Sequence, residues 1–254
     1  MAQGDLLIYP KRITFEGSGR TQQINLSNNG KDTARYVISV IQIRMKEDGS
    51  FETINQPDSG QHFADKYFRF FPRSVVLAPN EAQAIKIQLV NTNALQTGEY
   101  RSHIYFRAEP EKEPLGEEKA NKDSSISIRL TSVFGISIPV IIRVGQSTMN
   151  ISLSKFSFQL EKDTVSVLTM DLNRMGNMSV YGDISVDHIS ANGKVTRVAL
   201  AKGLAVYTPN ALRHFRLLLD KNPDVDYHTG SLHIVFTDLS ARVIKVAQEQ
   251  IYLH

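Results

Sequence analysis

Hydrophobic and polar positions alternate along most of this chain, with turn residues between the alternating stretches and no sustained 3.6-residue apolar period of helical length. The pattern predicts an all-β protein. Strands are expected in the first half over Ile13 to Glu16, Thr21 to Ser27, Ala34 to Met45, Val75 to Leu77, Ala82 to Val90 and Glu99 to Ala108. Glu47-Asp48-Gly49-Ser50 and Ala78-Pro79-Asn80 carry turn chemistry. One segment stands out by its length. From Ile126 to Val140, the side chains of Ile126, Ile128, Leu130, Phe134, Ile136, Ile138 and Val140 fall on one face of an extended chain, and Ser127, Arg129, Thr131 and Ser137 on the other. At ~3.3 Å per residue such a strand would span roughly 50 Å, whereas an ordinary strand has about 5 to 6 residues. Part of it therefore has no partner within its own domain. An apolar edge strand is an aggregation hazard, so one this long points to an extended partner that pairs with it. Ile136 to Val140 is expected to serve the domain's own core, and Ile126 to Phe134 to be lent outward. The alternative is that the whole segment closes its own sandwich.

The preceding strand is expected to place Tyr100, Ser102, Ile104 and Phe106 on a core face and Arg101, His103, Tyr105 and Arg107 on a wetter one. Glu109 to Ser124, rich in Glu, Lys and Pro, reads as a loop. About seven strands before Arg143 fit an immunoglobulin-like sandwich. The short polar run Gly145-Gln146-Ser147 suggests a boundary, giving domains over 1–144 and 145–254. Beyond it, Ile151 to Leu160, Thr164 to Leu172, Ser179 to His188, Thr196 to Leu200, Leu212 to Leu219, Ser231 to Thr237 and Arg242 to Leu253 make a second run of strands. Asn192-Gly193 is a hairpin signal. The expected fold is two immunoglobulin-like β-sandwich domains.

Composition sharpens this by exclusion. With 254 residues, 41% of them hydrophobic, the chain can fill two cores. The formal net charge of +3 is spread without a polybasic run, which speaks against nucleic acid and anionic membrane as partners. There is no cysteine, so disulfides and thiolate metal sites are excluded. No stretch approaches the ~20 apolar residues of a transmembrane helix. Met1-Ala2-Gln3-Gly4-Asp5 is not a signal peptide. Either the protein is cytosolic, or an export signal has been replaced by a start Met before a mature Ala-Gln terminus.

Catalytic constellations are not evident. The histidines, His62, His103, His188, His214, His228, His233 and His254, do not form a His-Glu-x-x-His or similar ligand pair. Asp224, Asp226 and His228 alternate, but Thr229 stands where a calcium loop needs Gly. Gly17-Ser18-Gly19 lacks the Lys-Ser/Thr and helix of a phosphate cradle. Tyr67 to Arg73 interleaves aromatics with Arg as a single-strand nucleic-acid platform does, yet Pro72 favours a core strand followed by a turn. The Asn-x-Ser sites at Asn25, Asn150 and Asn177 are too common by chance to indicate glycosylation. The absence of Trp speaks against a carbohydrate-binding module. The expectation is a protein-binding protein, not an enzyme, with no cofactor, no metal and no small-molecule substrate.

Several segments resemble the periplasmic pilus chaperones of the chaperone-usher pathway. They are Pro10-Lys11-Arg12-Ile13-Thr14-Phe15-Glu16-Gly17, Phe71-Pro72-Arg73-Ser74-Val75-Val76-Leu77-Ala78-Pro79, Gly98-Glu99-Tyr100-Arg101-Ser102-His103-Ile104-Tyr105-Phe106, and the long strand with Ile138-Pro139-Val140-Ile141-Ile142-Arg143. Weaker counterparts in the second half are Gly176-Asn177-Met178-Ser179-Val180-Tyr181-Gly182 and Ala205-Val206-Tyr207-Thr208-Pro209-Asn210. The resemblance implies two sandwiches set in an L, a periplasmic location, and a cleft between the domains that binds pilin-like subunits before an outer-membrane usher receives them. It implies that Ile126, Ile128, Leu130 and Phe134 enter the subunit's groove by donor-strand complementation, with Ser132 a gap in the series. Arg12 matches the arginine that grips the subunit's terminal carboxylate, and Arg143 the interdomain arginine. Two positions depart from the pattern. The lysine that partners the carboxylate-binding arginine falls on Pro139, and the glutamate that pairs with the interdomain arginine becomes Arg101. Self-association through the donor strand is a further expectation. A two-domain surface or pilus subunit assembling through the same edge is the alternative function.

Overall fold

The computed structural model describes residues 6–109, 134–161, 165–239 and 245–253, and it is all-β apart from two single-turn 3-10 segments. The chain forms two compact units. One comprises Met1–Gln42, Phe63–Leu95 and Tyr100–Arg143, and the other Ile43–His62, Gln96–Glu99 and Val144–His254.

The strands of the first half are β1 (Leu6–Tyr9), β2 (Ile13–Phe15), β3 (Thr21–Asn28), β4 (Ala34–Ile41), β5 (Ile43–Met45), β6 (Phe51–Thr53), β7 (Phe68–Phe71), β8 (Ser74–Leu77), β9 (Ala82–Leu89), β10 (Gly98–Glu109) and β11 (Gly135–Val144). In the first unit, one sheet has the order β1-β3-β9-β7 and the other β2-β11-β10-β4-β8. This is the four-against-rest arrangement of an immunoglobulin-like sandwich. Period-2 alternation builds its core. Ile24 and Leu26 of β3 and Ile85 and Ile87 of β9 point inward from one sheet, and Ile13, Phe15, Ile104, Phe106 and Val140 from the other. The pairing of β2 with β11 is parallel, setting Val140 beside Ile13 and Ile142 beside Phe15.

The sequence pattern predicts one strand from Ala34 to Met45, but the structure breaks it at Gln42. After the break, β5 and β6 form a hairpin that packs with the second unit. Its turn is the predicted Glu47 to Ser50, where Gly49 takes φ +83° and the Asp48 carboxylate accepts the Ser50 amide. The hairpin is held by Asn210 Nδ2 donating to the Met45 carbonyl at 2.7 Å and the His214 amide donating to the Glu47 carbonyl at 2.6 Å. Phe51 and Tyr207 add a ring contact at 6.3 Å. The buried set passes from even positions, Tyr36 and Ile38, to odd ones, Ile43 and Met45, so the alternation slips by one residue where the partner changes.

The second unit contains β12 (Asn150–Glu161), β13 (Val165–Met175), β14 (Val180–Ile189), β15 (Val195–Val206), β16 (Leu212–Leu218), β17 (Ser231–Asp238) and β18 (Lys245–Tyr252). The order β12-β13-β16 faces β15-β14-β17-β18 across a core that includes Leu168, Leu172, Ile184, Val186, Ile234 and Phe236. The Asn192-Gly193 turn joins β14 to β15 as its chemistry predicts, with Gly193 at φ +82°. Residues 96–99 join this unit through Glu99, whose carboxylate accepts the Ser179 amide at 2.9 Å and the Ser179 hydroxyl. Arg174 beside it donates to the carbonyls of Gly176 and Asn210, both at 2.7 Å, and of Met178 at 3.0 Å. Burial pushes its guanidinium pKa down, and the negative Glu99 works against that shift.

Phe236 is fully buried in this core. Phe236→Ala is expected to destabilise the protein by about 3 to 5 kcal/mol, measured as an earlier urea-unfolding transition. An unchanged midpoint would contradict its place in the core.

Candidate functional site

The geometry of β11 separates two halves of one strand. Its apolar face begins with Phe134 and Ile136 at 61% and 40% exposure and continues with Ile138 and Val140 at 4% and 0%. Ile136, expected to belong to the core, is thus outside it. The reason lies in the neighbouring strand. Among the described residues, β2 pairs with β11 only over Val140–Ile142, so residues 135–139 have β10 on one side and no strand on the other.

The direction of the free backbone groups follows from alternation. The Ala108 amide donates to the Phe134 carbonyl at 3.0 Å, which aims the even-numbered backbone groups of this strand at β10. Gly135, Ser137 and Pro139 then face the open edge. Proline lacks the amide and is tolerated at an edge. A Cβ at Gly135 would meet the outer end of the Tyr105 ring, which would have to shift to admit it.

The face of this sheet opposite the core is strongly basic. Register fixes its members: His103 opposes Ile41 and Tyr105 opposes Ser39, while Ile141 lies beside Thr14. Arg12 belongs to the same face, with its Nε donating to Thr14 Oγ1 at 3.4 Å. Arg143 Nη1 lies 3.5 Å from Glu16 Oε1, an ion pair one step further along β2 and β11. Arg101 and His103, expected on a wetter face, are only 2% exposed. Alternation identifies which residues share a face, but not whether that face is covered.

Electrostatics confirms the crowding of positive charge. Burial is the largest cause that drives the His103 pKa well below its usual value, and the guanidiniums of Arg101 and Arg12 push it the same way. His103 is therefore neutral at physiological pH.

Of the residues predicted to meet a subunit, Phe134 and Arg12 lie at opposite ends of the open edge. Ile126, Ile128 and Leu130 lie outside the described residues. Arg143 lies on the basic face beside Glu16. The pairing of Arg143 with Glu16 was not read from the sequence, although the parallel run of the two strands beside each other is the signal that carries it. Among the described residues no cluster of His, Asp and Glu is arranged to hold a metal ion, and no helix is long and apolar enough to cross a membrane.

No protein-family model matches the chain, and no curated protein matches it. Similar solved structures include the YadV chaperone, at 12% identity and a TM-score of 0.46, covering 98% of this chain and 100% of that one. The CsuC–CsuE chaperone–tip adhesion subunit pre-assembly complex of the archaic chaperone-usher Csu pili of Acinetobacter baumannii matches at 15% identity and a TM-score of 0.47, covering 96% and 97%. The Salmonella enterica SafA pilin in complex with the SafB chaperone matches at 12% identity and a TM-score of 0.46, covering 99% and 98%. These neighbours are chaperones, two of them captured with a pilus subunit. At such identities and TM-scores the likeness carries no weight in assigning function to this chain.

The buried neutral His103 has a measurable consequence. Its folded pKa is depressed below that of the unfolded chain, so the unfolded state takes up the proton first and stability falls as pH drops below about 6.5. Stability should therefore decline as pH falls from about 7.5 to about 5.5. Urea unfolding at both values should show this decline reduced in His103→Gln. An identical pH dependence in the two proteins would contradict it.

Proposed function

We propose that this protein is a periplasmic chaperone for pilin-like subunits, which it captures by pairing an extended segment of the subunit with β11 and its N-terminal continuation. One observation carries the reading. Among the described residues no strand pairs with the outer edge of β11 over residues 135–139, while its apolar face continues outward through Ile136 and Phe134. An edge of this kind supplies main-chain hydrogen bonds for affinity and alternate side chains for specificity.

The sequence extends the same apolar face through Leu130, Ile128 and Ile126. On this reading those residues and Phe134 fill the groove of a subunit that lacks a strand of its own. Each fully buried Ile or Leu contributes ~1.5 to 3 kcal/mol before ordering costs. Delivery to an outer-membrane usher completes the role, with Arg143 acting at the domain boundary.

The test is periplasmic co-expression with the pilin-like protein encoded beside it, followed by co-purification. The wild type should keep the subunit soluble. Phe134→Asp and Leu130→Asp should abolish recovery of the subunit, while the melting curve of the purified chaperone shifts by no more than about 0.5 kcal/mol in stability. A subunit equally soluble without this protein would sink the proposal. Unfolding of the free Leu130→Asp protein would instead place that residue in the domain's own core.

A further inference from the structure

Tyr105 belongs to β10, which lies between β4 and β11 in its sheet. Its neighbour on β4 is Ser39, yet its ring leans the other way. The hydroxyl, Cζ and Cε2 of Tyr105 lie closest to the place where a Cβ of Gly135 would stand, so the far end of the side chain has crossed from β10 to β11. Gly135 thus carries a neighbour's phenol over its backbone in place of a side chain of its own.

Alternation fixes the face on which this phenol lies. Ile136 and Ile138 belong to the core-side face of β11, so Gly135 and Ser137 belong to the opposite one, and both are exposed. Among the described residues, neither the Tyr105 hydroxyl nor the Ser137 hydroxyl is engaged in a hydrogen bond. Each can both donate and accept. Neighbouring strands lie ~4.8 Å apart, and residues opposite each other in a sheet point to the same face. A chain that pairs with the outer edge at Gly135 therefore brings its own outward side chain alongside the phenol oxygen.

The two faces of the edge ask for different chemistry. Phe134 and Ile136 present exposed hydrocarbon on one face, and Tyr105 and Ser137 present hydroxyls on the other. An apolar side chain laid against the phenol would cover its hydroxyl without bonding it, and a covered polar group without a partner is penalised by more than a made bond gains.

We infer that Tyr105 selects the chain that pairs with β11: the captured segment is an amphipathic strand whose outward residues are small hydroxyl side chains, hydrogen-bonded by the Tyr105 phenol, and whose alternate residues are apolar. This rests on the capture reading above and adds a rule of selection to it. Tyr105 stands outside the apolar series of Phe134 and Ile136, so it reads the face of the partner that those residues do not touch.

The probes are two short N-terminally labelled, C-terminally amidated peptides, one alternating valine with serine and the other valine with alanine. Within each peptide all outward residues are alike, so slippage along the edge by a full repeat leaves the same side chain at Tyr105. Fluorescence anisotropy with the intact chain should show the serine peptide binding about fivefold more tightly than the alanine peptide, the worth of a single hydrogen bond. Tyr105→Phe, which removes the hydroxyl and leaves the ring over Gly135, should bring that ratio toward one. In the wild-type protein the Tyr105 Cζ resonance should shift with the serine peptide and not with the alanine peptide, a measurement that stands without the variant. Equal affinity for the two peptides in the wild type, or a serine preference kept in full by folded Tyr105→Phe, would overturn this inference alone. Failure of the wild type to bind either peptide would overturn the capture reading, and this inference with it.

Discussion

Every non-proline residue of an extended strand carries a donor and an acceptor that must find partners, and among the described residues β11 receives only three residues of cover, from β2, on one of its sides. That shortage organises the N-terminal unit. On its other side β10 holds β11 in the sheet, and Ile138, Val140 and Ile142 anchor it in the core. Residues 135–137 lie beyond this anchor, and among the described residues no strand pairs with their outer edge. Natural sheets blunt such edges with charge, proline or cover. Here a proline stands at the inner limit of the edge, and the positions outside it are Gly135 and Ser137, small side chains that leave the backbone approachable.

The charges next to the edge obey the same economy of space. Arg101 and His103 sit on consecutive same-face positions of β10, a strand buried on both faces from Gly98 to Ile104. A buried cation is costly unless it is well satisfied. Arg143 meets Glu16 across β2 and β11, and His103 is held neutral by its surroundings. In the second unit the buried charge is handled locally, with Glu99 capped by Ser179 and Arg174 surrounded by carbonyls.

Much of this was legible in the alternation of the chain. Most strands of both sandwiches and the Glu47 to Ser50 and Asn192-Gly193 turns follow from side-chain period and turn chemistry, whereas β1 was not among the expected strands and the outer part of the long strand, Ile126 to Leu130, lies outside the described residues. Three features did not. The switch of partner at Gln42 is marked by a one-residue slip, from Tyr36 and Ile38 to Ile43 and Met45, but a bulge in a continued strand gives the same slip. The exposure of Ile136 depends on how far β2 reaches, which no local pattern encodes. The burial of Arg101 and His103 runs against their polarity, since a charged face is ordinarily read as a wet one. Arg12 was recognised through its motif, whereas its nearness to His103, which Arg101 shares, shows only in the folded chain.

Hydrogen–deuterium exchange on the backbone amides of Gly135, Ile136, Ser137 and Ile138, in the free protein and in its complex with the co-expressed pilin-like subunit, tests the open edge most directly. Gly135 and Ser137, which face the edge, should exchange rapidly in the free protein and become strongly protected in the complex, while Ile136 and Ile138, bonded toward β10, change little. Protection of all four amides in the free protein, or a subunit complex that leaves Gly135 and Ser137 exchanging as before, would contradict capture through this strand.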